Sequence, residues 1–162
     1  AGRLTIRIQP LTADAFAPFG EVLDTAGAPD KVINQGLCGR YHDRARLDFP
    51  EGGRAGISLF QAELRALPYR LEMMERHPLG SQAFLPMSMD GFLVIVAPHE
   101  DGRPGTPRAF ASRPGQGINL HRNTWHGVLT PLSGSGLFAV IDRIGDGDNL
   151  QEHWFQEPYT IE

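Results

Sequence analysis

Glycine and proline set the first limit on this chain: 19 Gly and 13 Pro are scattered through 162 residues and leave few stretches long enough for a helix. Short strands joined by turns suit such punctuation better. The apolar residues between the breaks follow strand spacing. Leu4, Ile6 and Ile8 alternate with Thr5 and Arg7, which predicts a half-buried opening strand. Residues 57–60 read as a strand covered on both faces. Phe92–Ala97 and Leu137–Ile141 are continuous apolar runs, the pattern of central strands. Thr12 is placed to cap a short helix through Phe16, which Pro18 and Gly20 would stop. Residues 24–36, 98–107 and 142–149 read as loops. About eight to ten short strands and one short N-terminal helix predict a mainly all-β sandwich or barrel.

A chain of this length suits one domain over residues 1–162 and can bury roughly 70% of its unfolded surface, enough to spare room for a cavity. Net charge is −4 and no basic tract is present, which argues against nucleic acid as a partner. The longest apolar run, 92–98, is too short to cross a membrane, and no signal-type segment opens the sequence. Cys38 is the only cysteine and can form no internal disulfide, so a cytoplasmic setting is expected. Lys31 is the only lysine and lies in a polar stretch, which disfavours Schiff-base chemistry. Arginine carries nearly all the positive charge and suits a bidentate grip on carboxylate.

Two segments concentrate chemistry. In Leu71-Glu-Met-Met-Glu-Arg-His77, strand alternation would put Tyr69, Leu71, Met73, Glu75 and His77 on one face and turn Arg76 away. An apolar inward face would then end in a carboxylate and an imidazole. Burying those is costly unless they are paired, bind metal or meet a cavity, although the strand could simply surface there. The second segment, Gly117-Ile-Asn-Leu-His-Arg-Asn-Thr-Trp-His126, holds His121, Arg122, Asn123 and His126 within six residues. Its bland alternative is a polar hairpin anchored by Trp125.

Together the segments resemble the two motifs of the cupin superfamily. Glu75-x-His77-x4-Gln82-x-Phe84 falls on the first motif, and Trp125-His126 on the end of the second. Glu75 replaces the usual first His and Gln82 the usual Glu. The set Glu75, His77, Gln82 and His126 is therefore a weaker donor set than the family's usual one, open to nickel, zinc or manganese, or to no metal. Further blocks narrow the resemblance: Asn34-Gln-Gly-Leu, Arg40-Tyr-His-Asp43, Glu75 through Phe84, Gly117 through His126, Ile141-Asp-Arg143 and Asp148-Asn149. In this order they are similar to the ureidoglycolate lyase family.

That resemblance implies a cupin-type double-stranded β-helix, or jelly-roll barrel, assembled as a homodimer and serving allantoin and purine breakdown. It implies cleavage of ureidoglycolate to glyoxylate and urea. The substrate carries a hydroxyl, a carboxylate and a urea nitrogen on one carbon. Its collapse needs a base for the hydroxyl proton, an acid for the departing nitrogen and a holder for the carboxylate. His77 or His126 is expected to move the protons, with His121 in reserve. Gln82 and Asn123 are expected to bond the urea group, and Arg122 or Arg40 to clamp the carboxylate. His42 could join them or belong to a surface network with Arg40 and Asp43. His99 and His153 are expected to play no part.

Rival readings remain at this level. The 142–149 loop lacks the EF-hand order, and Gly115-Gln-Gly117 lacks a P-loop lysine. Another cupin reaction, such as sugar epimerisation or metal-dependent oxygenation using Glu75, His77 and His126, is the enzyme alternative. A non-catalytic cupin that binds a small acid is the other.

Overall fold

The computed structural model describes residues 4–162, and its strands form two main sheets. In spatial order the larger runs Thr5–Ile6, Gln151–Ile161, Tyr69–Arg76, Trp125–His126, Phe92–Ala97, Arg108–Ala111, Ile8–Pro10; Thr130–Pro131 also pairs with Phe92–Ala97. The smaller runs Gly20–Leu23, Gly117–Leu120, Gln82–Pro86, Leu137–Gly145, Gly53–Gln61. Two short hairpins stand apart, Lys31–Ile33 with Cys38–Arg40 and His99–Glu100 with Arg103–Pro104. The expected jelly-roll barrel is the observed architecture. No helix among the described residues is long and apolar enough to cross a membrane.

The opening strand is split at Arg7, and the split joins the two ends of the larger sheet. Thr5–Ile6 pairs in parallel with Thr160 and Ile161, whereas Ile8–Pro10 pairs in parallel with Ala109–Ala111. Flanking hydrogen bonds, Ile8 N to Glu162 O and Glu162 N to Ile6 O, secure the join. The sheet thereby curls on itself and covers edges that would otherwise be open.

Two apolar clusters result. One contains Ile6, Ile8, Leu71, Leu93, Ile95, Ala109 and Ile161, contributed from around the curl of the larger sheet. The other lies between the sheets and contains Phe84, Phe92, Val94, Val96, Phe110, Ile118, Phe138 and Val140. Phe92–Ala97 sends alternate residues into each cluster, so all six are buried, as its unbroken hydrophobicity predicts. Thr12 caps the helix Ala13–Phe16 by accepting from Ala15 N, and Phe16 fills the second cluster.

Four expectations need correction. The stretches read as loops carry strand: 142–145 extends Leu137–Gly145, and short hairpin strands occupy Lys31–Ile33, His99–Glu100 and Arg103–Pro104. Gly53–Gln61 is an edge strand, and Ile57 and Leu59 are 76% and 64% exposed rather than covered. Leu137–Gly145 buries Phe138 and Val140 but leaves Leu137, Ala139 and Ile141 half exposed. Tyr69 and Leu71 do not share a face with Glu75 and His77. Leu71 and Met74 both enter the first cluster, so alternation breaks between them, opposite the register shift between Trp154 and Tyr159. A bulge re-aims the side chains beyond it.

Gly20 marks the tightest approach that positions the smaller sheet. A β-carbon there would collide with the carbonyl oxygen of Asn119 in the paired strand. Gly20→Ala should therefore lower stability by about 1–3 kcal/mol in urea unfolding.

Candidate active site

The second half of the strand Tyr69–Arg76 turns its odd side chains toward the smaller sheet. Glu75 lies directly opposite His126 across the antiparallel ladder, and His126 in turn opposes Val96. On the other face Arg76 lies over the Trp125 ring, 4.7 Å from its centroid, and bonds to His99 and Gln151, turned away from the cavity as expected. From the facing sheet, Gln82 lies opposite Asp142. Between them opens a cavity of about 530 Å³ lined by Phe60, Arg65, Glu75, His77, Gln82, Phe84, His126, Val128, Leu129, Asp142 and Leu150. That volume suits a small molecule.

Hydrogen bonding dictates what each polar group shows the cavity. His77 Nδ1 lies 2.8 Å from the Asn149 carbonyl oxygen, and His126 Nδ1 lies 2.8 Å from that of Gly127. A carbonyl oxygen can only accept, so both rings carry their proton on Nδ1 and leave a lone pair on Nε2. Neither Nε2 has a partner in the protein, although both are buried. Gln82 donates its amide to Asp142 Oδ2 at 3.1 Å, which leaves its carbonyl oxygen Oε1 buried and unpartnered as well. The His77 and His126 rings are 5.1 Å apart, and donor atoms of Glu75, His77 and His126 all lie within 4.8 Å of one another.

Burial sets the charge states. It holds the His126 imidazole down at about 4; charge on His77 adds to this, and the bond to Gly127 opposes it. His126 is thus neutral near neutral pH. Burial also pushes the Glu75 carboxyl up, with His77 opposing and Glu152 adding.

The other residues singled out from sequence do not join this cavity. His121, Arg122 and Asn123 line a different depression with Phe19, His99 and Arg108. His121 is paired there with Glu21, and Arg122 lies 3.5 Å from Asp48. Asn123 adopts φ 69° and donates its backbone N–H to the His77 carbonyl, so this turn supports His77 from behind. Arg40 is exposed on a hairpin, while the His42 backbone N–H bonds to Asp30, which also pairs with Arg44. Three cavity or supporting residues escaped the sequence reading: Arg65, Asp142 and Asn149. Besides holding His77, Asn149 accepts from Leu79 N through its side chain. The only signal for Asp142 and Asn149 was their place in two recognised blocks; Arg65 gave none.

Two facing sheets with two imidazoles, a carboxylate and an amide oxygen converging between them define a cupin-type barrel with a small-molecule site. The chain belongs to the ureidoglycolate lyase family, whose model matches residues 3–162. Among similar proteins, a ureidoglycolate lyase of Rhodobacter capsulatus is 59% identical, the match covering 97% of this chain and 98% of that one. One from Chelativorans is 51% identical over 94% of this chain and 93% of its own, and ureidoglycolate lyase 2 of Rhizobium meliloti is 50% identical over 98% of both.

Neutral burial of His126 has a consequence for stability. Its folded pKa lies below the unfolded value near 6.5, so the unfolded chain binds the extra proton as pH falls. This contribution should be complete above pH 6.5 and fade between 6.5 and 4, by on the order of 3 kcal/mol. Urea unfolding of wild type and His126→Asn across that range should show their stability difference narrowing as pH falls.

Proposed function

We propose that this protein cleaves ureidoglycolate to glyoxylate and urea by acid–base elimination in the cavity between its sheets, as the names of its relatives indicate. The observation that carries the reading is the convergence of His77 Nε2, His126 Nε2 and Gln82 Oε1, all buried, unpartnered and able to accept. The substrate offers the matching donors: a hydroxyl, an N–H and an NH₂. His77 Nε2 takes the hydroxyl proton, the oxygen's electron pair forms the new carbonyl and the bond to the urea nitrogen breaks. That proton returns to the departing nitrogen. His126 Nε2, neutral and fixed beside His77, accepts from the substrate N–H, and Gln82 Oε1 accepts from the terminal NH₂ of the urea group. No water is consumed and no electron is transferred to a cofactor.

A second reading rests on the same atoms. An acceptor-only set whose two histidines are each held through Nδ1 also fits a divalent cation such as nickel, zinc or manganese. Glu75, His77, Gln82 and His126 would hold it. When bound, it would supply Lewis-acid polarisation of a substrate oxygen.

The proposed reaction belongs to allantoin and purine breakdown, and the compartment proposed for it is the cytoplasm. The exposed lone Cys38 suits that compartment. A homodimeric assembly is part of the same proposal, and the outer face of the smaller sheet supports it. There Ile57 and Leu59 on the edge strand adjoin Ala139, Ile141 and Leu85 without an intervening charge. An uncharged apolar face of this kind marks an association site, and its open edge suits twofold pairing with a second copy.

Glyoxylate, urea and ammonia should be measured together, with and without a chelator. Equal glyoxylate and urea without ammonia is the expected result. Loss of activity to chelator and its return with nickel, zinc or manganese would favour the metal reading; indifference would leave His77 acting directly. His77→Ala should lower turnover by about 10²–10⁴-fold with the fold intact. No product above the spontaneous rate from folded, metal-supplied protein would sink the assignment. In sedimentation, wild type should run as a dimer and Leu59→Asp as a monomer.

A further inference from the structure

The cavity offers many acceptors and, among the described residues, a single cation. Glu75 and Asp142 are carboxylates, and His77, His126 and Gln82 present lone pairs. Such a lining repels a substrate carboxylate unless a positive group meets it. Among the described residues, Arg65 is the only arginine or lysine lining the cavity. It sits in the connection between Gly53–Gln61 and Tyr69–Arg76, where its backbone N–H donates to the Pro131 carbonyl at 2.8 Å. That bond fixes the main chain at the rim. The guanidinium lies 5.9 Å from the centroid of the Tyr69 ring, which lines an adjoining depression that Arg65 shares, and among the described residues it forms no ion pair or side-chain hydrogen bond. It is thus anchored at its base, steadied by an aromatic face and free at its donors. The arginines expected from sequence are placed otherwise: Arg122 beside Asp48 in another depression, Arg40 on an exposed hairpin.

We infer that Arg65 binds the substrate carboxylate, its guanidinium gripping both oxygens at the cavity rim while the reacting carbon faces His77 and His126. The assignment rests on the cavity being the lyase site. A planar fork of N–H donors matches a carboxylate in a way a lysine ammonium does not, so the identity of the cation matters as well as its charge.

Steady-state kinetics of Arg65→Met, Arg65→Lys and Arg122→Met test this, with inhibition by the two products as a second readout. Glyoxylate carries the carboxylate and urea does not. Arg65→Met should raise KM by about 10–100-fold and weaken glyoxylate inhibition by a similar factor, while inhibition by urea stays unchanged. Arg65→Lys should recover only part of the loss, and Arg122→Met should match wild type. Unchanged KM and glyoxylate inhibition in Arg65→Met, or the same losses appearing in Arg122→Met instead, would overturn the inference. Absence of turnover in wild type would sink the lyase reading alone. Calorimetric glyoxylate binding then decides the clamp: weaker binding by Arg65→Met upholds it, and equal or no binding by the two proteins overturns it.

Discussion

Everything distinctive about this molecule follows from the cost of putting polar groups on a core face. The inter-sheet face of the larger sheet carries Phe92, Val94 and Val96 and would close as ordinary apolar packing. At its far end the same face carries His126 beside Val96, with Glu75 opposite. A buried imidazole or carboxylate without a partner costs kilocalories per group. The fold meets half of that demand for each ring, through one backbone carbonyl, and leaves the other half open. The cavity is what remains where packing stops so that those open halves can be met by a ligand.

The supporting contacts are as specific as the site itself. Asn149 lies in the short connection between the strands Leu137–Gly145 and Gln151–Ile161, yet it fixes both the tautomer of His77 and the path of the chain at Leu79. Asp142 accepts an amide hydrogen of Gln82 and so decides that oxygen, not nitrogen, is left unpartnered in the cavity. The His121–Thr124 turn holds the His77 carbonyl through Asn123 N–H. These groups need not touch substrate to matter, because they determine which atoms present lone pairs.

This division also explains what could be read from sequence. Glu75, His77, Gln82 and His126 were legible because they occupy motif positions on strands or, for His77, one residue beyond a strand end, where parity tells which side chains converge. The alternation argument nevertheless placed Tyr69 and Leu71 on the wrong face. It assumed an unbroken strand, and the register shift opposite residues 71–73 is made by the partner strand, far away in sequence. His121, Arg122 and Asn123 drew attention by lying within a few residues of His126. The left-handed turn at Asn123 sends them to another side of the wall. Arg65 was illegible for the opposite reason: it lies in a connection with no periodicity, and only the closed barrel brings it to the rim. The edge strand was misjudged because an apolar run does not reveal whether its second face meets a sheet, a second chain or water.

The charge pattern of the cavity carries the last step. A chain of net charge −4, with Glu75 and Asp142 lining its cavity, is a poor host for a free anion. Burial eases this locally by pushing the Glu75 carboxyl toward its neutral form, and His126 adds no positive charge because it is held neutral. A ligand that enters must therefore bring hydrogen-bond donors for the deep acceptors and place any carboxylate at the rim, near Arg65. A dicarboxylate would set its second charge against Glu75 or Asp142, and a neutral urea derivative would leave the guanidinium unused. A molecule with one carboxylate and a hydroxyl and ureido group on the same carbon satisfies both ends. On the proposed assignment, selectivity arises from segregation: acceptors buried between the sheets and, among the described residues, a single cation at their edge.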